Sequence, residues 1–247
     1  MLERQGIGRV FRNHRGYPDH LVDTLTVAKA PPVLTFKGSL ELLQTPCTVI
    51  SGSRRASPEG LACARAVAES LAKKGVVIAT GLARGVDREA MNAALKAGGR
   101  VIGVSAQGIL KTAERWRREV GQGRLTVVSP FEPSALWSAR QAMQRNTVLA
   151  GLSRVLVVAD CVAPGGTSNQ VETHRRLGFP VFLRRGRGEG EMVAELAERE
   201  GVKAFWWRAE EPTPIAPFVD SELHQHPTTN NTQTSRELEA DAPELGA

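Results

Sequence analysis

The chain has 247 residues, 41% of them hydrophobic and 23% charged, enough for one sizeable core and somewhat more than a single sheet-based domain needs. Its formal charge of +6 hides an uneven distribution: residues 209–247 carry eight acids and one base, which leaves residues 1–208 at +13 and points to a polyanionic partner. Three scattered cysteines, no apolar run of spanning length and no hydrophobic segment after the N-terminal charges exclude a disulfide scaffold, a zinc module, a membrane span and a secretory signal, so a cytoplasmic protein is expected.

Residues 1–16 show no sustained periodicity and are expected to form a flexible arm. Residues 17–45 interleave apolar anchors (Leu21, Leu25, Leu34, Phe36) with proline and glycine breakers. They predict a lead-in extension packed on the core, with a short strand over Val33–Phe36 and a helical turn near Ser39–Leu43. From Pro46 onward short apolar runs alternate with helical patterns, the signature of βαβ units. Strands are predicted over Thr48–Ser51, Val76–Thr80, Val101–Val104, Leu125–Ser129, Val155–Ala159 and Val181–Leu183. Helices are predicted over Ser57–Lys74, Val86–Ala97, Asn169–Leu177 and Gly190–Arg199. Ser57 reads as an N-cap, Pro58 and Glu59 suit the first turn, and Gly75 suits the C′ position. Trp206-Trp207 is expected to end the last strand and pack as core. The pattern gives an α/β fold over residues 46–208, a mostly parallel sheet with helices on both faces. Residues 209–247, with their prolines, acids and Thr/Asn/Gln run, are expected to be a disordered acidic tail.

Ligands of such sheets lie beyond the carboxyl ends of the strands. There the sequence places Gly52-Ser53-Arg54-Arg55, Gly81 to Asp87, Ser105 to Gly108, Ser129-Pro130-Phe131 and Asp160 to Ser168. Glycines let backbone N–H groups approach an anion, helix N-termini add partial positive charge, and Arg54 and Arg84 supply forked donors for phosphate oxygens. No G-x-G-x-x-G follows the first central strand, and neither a P-loop nor a G-x-S-x-G elbow occurs. The five histidines form no metal-ligand pattern, so each is read as structural or solvated. Asp87 has two readings, capping the adjacent helix and orienting Arg84.

Tyr17-Pro18, Pro32-Val33-Leu34, Leu40 to Leu43, Gly52-Ser53-Arg54, Gly81 to Asp87, Ala97 to Arg100, Arg145-Asn146 and Ala150 to Ser153 follow one another in an order that resembles the DNA-processing protein A family (DprA, also called Smf). The match covers roughly residues 17–185. The resemblance implies an extended Rossmann-like fold that binds single-stranded DNA without sequence preference and helps load a RecA-type recombinase during uptake of foreign DNA. It further implies a homodimer with no metal or cofactor. Carried over by residue, Arg54, Arg84 and Arg145 belong to a phosphate-binding pocket with Gly52, Ser53 and Asn146. Gly81, Gly85, Gly165, Gly166 and Thr167 stand in the loops around it.

The departures are specific. Thr147 follows Arg145-Asn146 where the family usually has an arginine, and Arg140 to Gln144 replace its aromatic-proline lead. Pro164, Gly165, Gly166 and Glu172 resemble a loop of the "lonely guy" nucleotide phosphoribohydrolases, although Ser168 and Asn169 do not. In that alternative the chain is a nucleotide-binding enzyme or sensor and Glu172 is a catalytic carboxylate. The winged-helix and N-terminal helical domains often found in the family are expected to be absent. Aromatic residues are sparse, and only Trp116, Phe131 and Trp137 fall near the expected site.

Overall fold

In the computed structural model, which describes residues 2–162, 164–186 and 189–225, nine strands form a single sheet. They are β1 (Gly8–Phe11), β2 (Val33–Lys37), β3 (Cys47–Gly52), β4 (Val77–Thr80), β5 (Val101–Val104), β6 (Leu125–Ser129), β7 (Ser153–Asp160), β8 (Val181–Arg185) and β9 (Val202–Trp206). The spatial order is β1-β2-β6-β5-β4-β3-β7-β8-β9. The strands from β6 to β9 in that order are parallel, whereas β2 on β6 and β1 on β2 are antiparallel. Every residue of β4, β5, β6 and β7 is buried, which is why these strands read as continuous apolar runs instead of alternating patterns.

The helices are α1 (Asp19–Lys29), α2 (Pro58–Lys73), α3 (Val86–Lys96), α4 (Ile109–Arg115), α5 (Arg117–Gly121), α6 (Ala139–Leu152), α7 (Gly166–Arg176), α8 (Glu191–Ala197) and α9 (Ala216–Gln225). One face of the sheet is sealed by Cys63, Ala64 and Val67 of α2, Ala90 and Met91 of α3, Ile109 of α4, and Val219 and Leu223 of α9. The other is sealed by Leu21 and Leu25 of α1, Leu149 and Leu152 of α6, Val171 of α7, and Val193 and Leu196 of α8. The fold is the extended, mostly parallel Rossmann-like α/β architecture expected. No helix among the described residues is long and apolar enough to cross a membrane.

Four expectations need correction. Residues 1–16 are not simply an arm: Ile7 and Val10 are buried, and β1 adds an edge strand to β2. Four residues are too few for alternation to show in the sequence. The lead-in contains the eleven-residue α1, whose Leu21 and Leu25 lie one turn apart against α6 and the sheet. The fourteen-residue α6 is not among the predicted helices, because Arg140, Gln141 and Gln144 interrupt its first half and only its second half carries an apolar face. Residues 209–225 are not a disordered tail, since α9 buries Ala216, Val219 and Leu223 against α2, β3 and β7, and Ile215 just before it is buried too. The rest of the expected tail, 226–247, lies outside the described residues. Trp207 is buried as expected, but Trp206 is half-exposed.

Two neutral histidines are built into the core. His174 is fully buried between Ser153 Oγ, 2.9 Å from Nε2, and the Gln170 carbonyl, 3.0 Å from Nδ1. His20 is buried near the Arg154 guanidinium. Burial pushes both rings down to about 4 from an ordinary 6.5, with the Arg154 charge adding to the effect at His20. The unfolded chain therefore takes up protons that the folded chain refuses, so stability present above pH 6.5 is lost as the pH falls toward 4. Urea midpoints measured across that window should fall on acidification, and His174→Gln should make the fall shallower.

Candidate nucleic-acid interface

The chain reverses direction in the sheet between β3 and β7, so the crevice beyond their carboxyl ends is the topological switch point. β3 delivers Ser53 and Arg54 into it. Ser53 N–H donates to the Asp160 carbonyl (3.0 Å) at the end of β7, and Val86 N–H donates to the Ser53 carbonyl (3.3 Å). The Asp160 carboxylate then accepts from Ser57 N–H (3.1 Å) and Ser57 Oγ (2.7 Å), while Ser57 Oγ caps α2 through Gly60 N–H (3.0 Å). The turn carrying Arg54 is thus tied on both flanks, which holds an exposed guanidinium on a rigid base.

The loop after β4 packs tightly against this turn. Gly85 has φ +77°, and a Cβ there would run into the Ser53 carbonyl, so only glycine fits. Leu82 also adopts a left-handed φ of 58°, unusual for a leucine, while its side chain packs over Gly103 of β5. Strain of this kind costs on the order of 1–3 kcal/mol and collects at ligand sites.

Arg145 rises from α6 beneath these loops. It is only 6% exposed and lies against the Gly81 Cα, in space that a side chain at position 81 would occupy. Its Nε is buried without a hydrogen-bond partner among the described residues, and its Nη1 stands 3.9 Å from Asp87 Oδ2, too far for a hydrogen bond. Asp87 is committed elsewhere, accepting from Gly81 N–H (2.9 Å). Burial pushes the Asp87 carboxyl up and the Arg145 guanidinium down, each partly offset by the other's charge. A buried guanidinium with unused donors fits an incoming oxyanion. Asn146 Nδ2, on the next residue, donates to the Gly166 carbonyl and to Asn169 Oδ1 (3.0 Å each), locking α6 to the start of α7.

Two clefts meet over Arg145. The larger, about 540 Å³, is lined by Gly52, Ser53, Arg54, Asn146, Gly165, Gly166 and Thr167, with Met143 and Val162 on its rim. The smaller, about 280 Å³, is lined by Gly81, Arg84, Gln107, Arg115 and Trp116. Arg54, Trp137 and Arg145 line both. Among the described residues Asp87 is the sole carboxylate lining either cleft, so the crevice is strongly electropositive. No group of three or more potential metal ligands occurs among the described residues.

The structure therefore gathers Arg54, Arg84 and Arg145 with the glycine loops, but differs in three particulars. Asp87 faces Arg145 instead of Arg84. Ser129 and Phe131 line neither cleft; Ser129 Oγ instead donates to the Gln107 carbonyl (2.8 Å), and the connection after β6 reaches the site farther on, at Trp137. Glu172 lines neither cleft, its carboxylate being paired with Arg175 (2.9 Å) and Arg176 (2.8 Å) along α7 and held below the usual range mainly by Arg176. Arg115 was not singled out in the sequence. Its only signal was a basic residue beside Trp116, whose ring lies 5.3 Å from its guanidinium.

The sequence pattern of the family described as DNA recombination-mediator protein A matches residues 9–199. The chain belongs to this family. Over 164 residues it is 32% identical to the DNA processing protein DprA of Streptococcus pneumoniae, covering 65% of this chain and 57% of that protein. The X-ray structure of the pneumococcal DprA superposes with a TM-score of 0.70 at 29% identity, covering 81% of this chain and 71% of that one. DNA processing protein A of Helicobacter pylori, solved for insight into its single-stranded DNA binding mode, superposes with a TM-score of 0.72 over 90% of this chain and 97% of that one. Its 23% identity speaks to the fold alone. The chain thus spans little more than half the length of the curated pneumococcal DprA.

Proposed function

We propose that this DprA/Smf family member binds single-stranded DNA and acts as a recombination mediator, without breaking a covalent bond. The observation that carries the reading is Arg145, a buried arginine with unused donors where two arginine-lined clefts meet at the sheet's switch point. A row of guanidiniums around backbone N–H groups tracks a phosphate chain without reading sequence. The finer role is to load a RecA-type recombinase onto the bound strand, as a cytoplasmic homodimer that needs no cofactor. Growth of recombinase filaments on an oligonucleotide, with and without the protein, measures that role.

The primary test is fluorescence anisotropy of labelled oligonucleotides over a range of salt concentrations. Affinity should fall steeply with salt, by about 0.7 in the double-logarithmic slope for each phosphate contact, and vary little with sequence. Absence of binding at low salt would sink the proposal.

The nucleotide-hydrolase alternative has Pro164 to Gly166 in its favour, but the placement of Glu172 removes the carboxylate it needs from the cleft. Incubation with nucleoside monophosphates should release no free base. Because Glu172 makes only surface ion pairs, Glu172→Gln should leave oligonucleotide affinity within about twofold of the parent.

A further inference from the structure

Trp137 is 49% exposed at the mouth of the site, and the Arg54 guanidinium lies 5.2 Å from the centre of its ring. Its backbone is held on both sides. Gly108 N–H donates to the Ala135 carbonyl (2.8 Å), and Ser138, the next residue, caps α6 through Gln141 N–H (3.1 Å). Leu136, Met143 and Val162 are also exposed, and the last two share the larger cleft with Trp137. A site that contacted phosphates alone would gain nothing from this apolar surface, which elsewhere on a soluble protein is a liability. A flat, pinned indole beside arginines suits the face of a nucleobase.

We propose that Trp137 is the base-stacking platform of this site, so that a bound strand is gripped by base and phosphate together and unpaired nucleic acid is selected over duplex. Within a duplex the base faces are covered by their neighbours, and the platform has nothing to stack on. This inference rests on the DNA-binding reading above and deepens it by naming what the site recognises besides charge.

The test compares three ligands by anisotropy: a short oligo-dT, an abasic oligonucleotide with the same number of phosphates, and a duplex of the same length. The parent protein should bind oligo-dT roughly 5- to 100-fold more tightly than the abasic strand, and more tightly than the duplex. Trp137→Ala should bring the oligo-dT to abasic ratio close to one, whereas Trp137→Phe, which keeps an aromatic face, should preserve most of it. Equal binding of oligo-dT and the abasic strand by the parent, or a preference that Trp137→Ala leaves intact, overturns the stacking role while the phosphate-binding reading stands. In that case the apolar rim belongs to a protein contact. Failure of the parent to bind any of the three overturns both.

Discussion

Arg54→Ala is expected to weaken binding of a single-stranded oligonucleotide by about 10- to 100-fold, from loss of a charge-assisted contact of roughly 1.5–3 kcal/mol. Arg54 lines both clefts, is exposed, and sits on a turn whose backbone is tied by hydrogen bonds that do not involve its side chain. Removing the guanidinium should therefore leave the melting temperature unchanged while the double-logarithmic salt slope becomes shallower by about 0.7. Arg54→Lys should restore the slope but only part of the affinity, because an ammonium keeps the charge and loses the fork. Unchanged affinity for Arg54→Ala, measured by anisotropy, would remove Arg54 from the site. Arg145→Ala is a less clean probe. It strands the buried Asp87 carboxylate beside an emptied space, and breaking a buried pair of this kind costs about 3–5 kcal/mol of stability. Loss of binding by that variant would therefore report folding as well as recognition.

The second large effect concerns α9. A chain ending at Arg208 should lose several kcal/mol of stability, because Ile215, Val219 and Leu223 leave the core. Fully burying one such side chain contributes about 1.5–3 kcal/mol, so three of them represent a large share of the 5–15 kcal/mol that typically holds a domain together. The point substitution Leu223→Ala, at a 6% exposed position, should by itself cost about 2–5 kcal/mol. Chemical denaturation of both variants checks this. A chain ending at Arg208 with an unchanged midpoint would show that α9 adds nothing to the core.

α9 also shows where sequence reading stopped. Its acids, Asp220 and Glu222, and the prolines before it suggested a tail, whereas its apolar residues Ile215, Val219 and Leu223 keep helical spacing and find a face left open on β3 and β7. That vacancy exists only once the sheet is assembled. The parallel strands were legible for the opposite reason: runs such as Val155 to Ala159 are buried on both faces and need no partner to be recognised. In the site, the arginines and glycines could be named from the loops after β3, β4 and β7. Which acid faces which arginine could not, because the choice between Arg84 and Arg145 for Asp87 depends on where α6 sets Arg145 beneath the loop after β4. α6 was itself hidden, since Arg140, Gln141 and Gln144 in its first turns dilute the apolar pattern that would have revealed a helix. Trp137 was close in sequence, but its stacking on Arg54 joins two loops 83 residues apart.

A structure of the protein with a short oligo-dT tests the central claim most directly. The account predicts a phosphate within hydrogen-bonding distance of Arg145 at the junction of the two clefts, flanked by Arg54 and Arg84 beyond the carboxyl ends of β3, β4 and β7. An oligonucleotide bound elsewhere, along the β1 or β9 edge of the sheet, with Arg145 still without an anion, would contradict it.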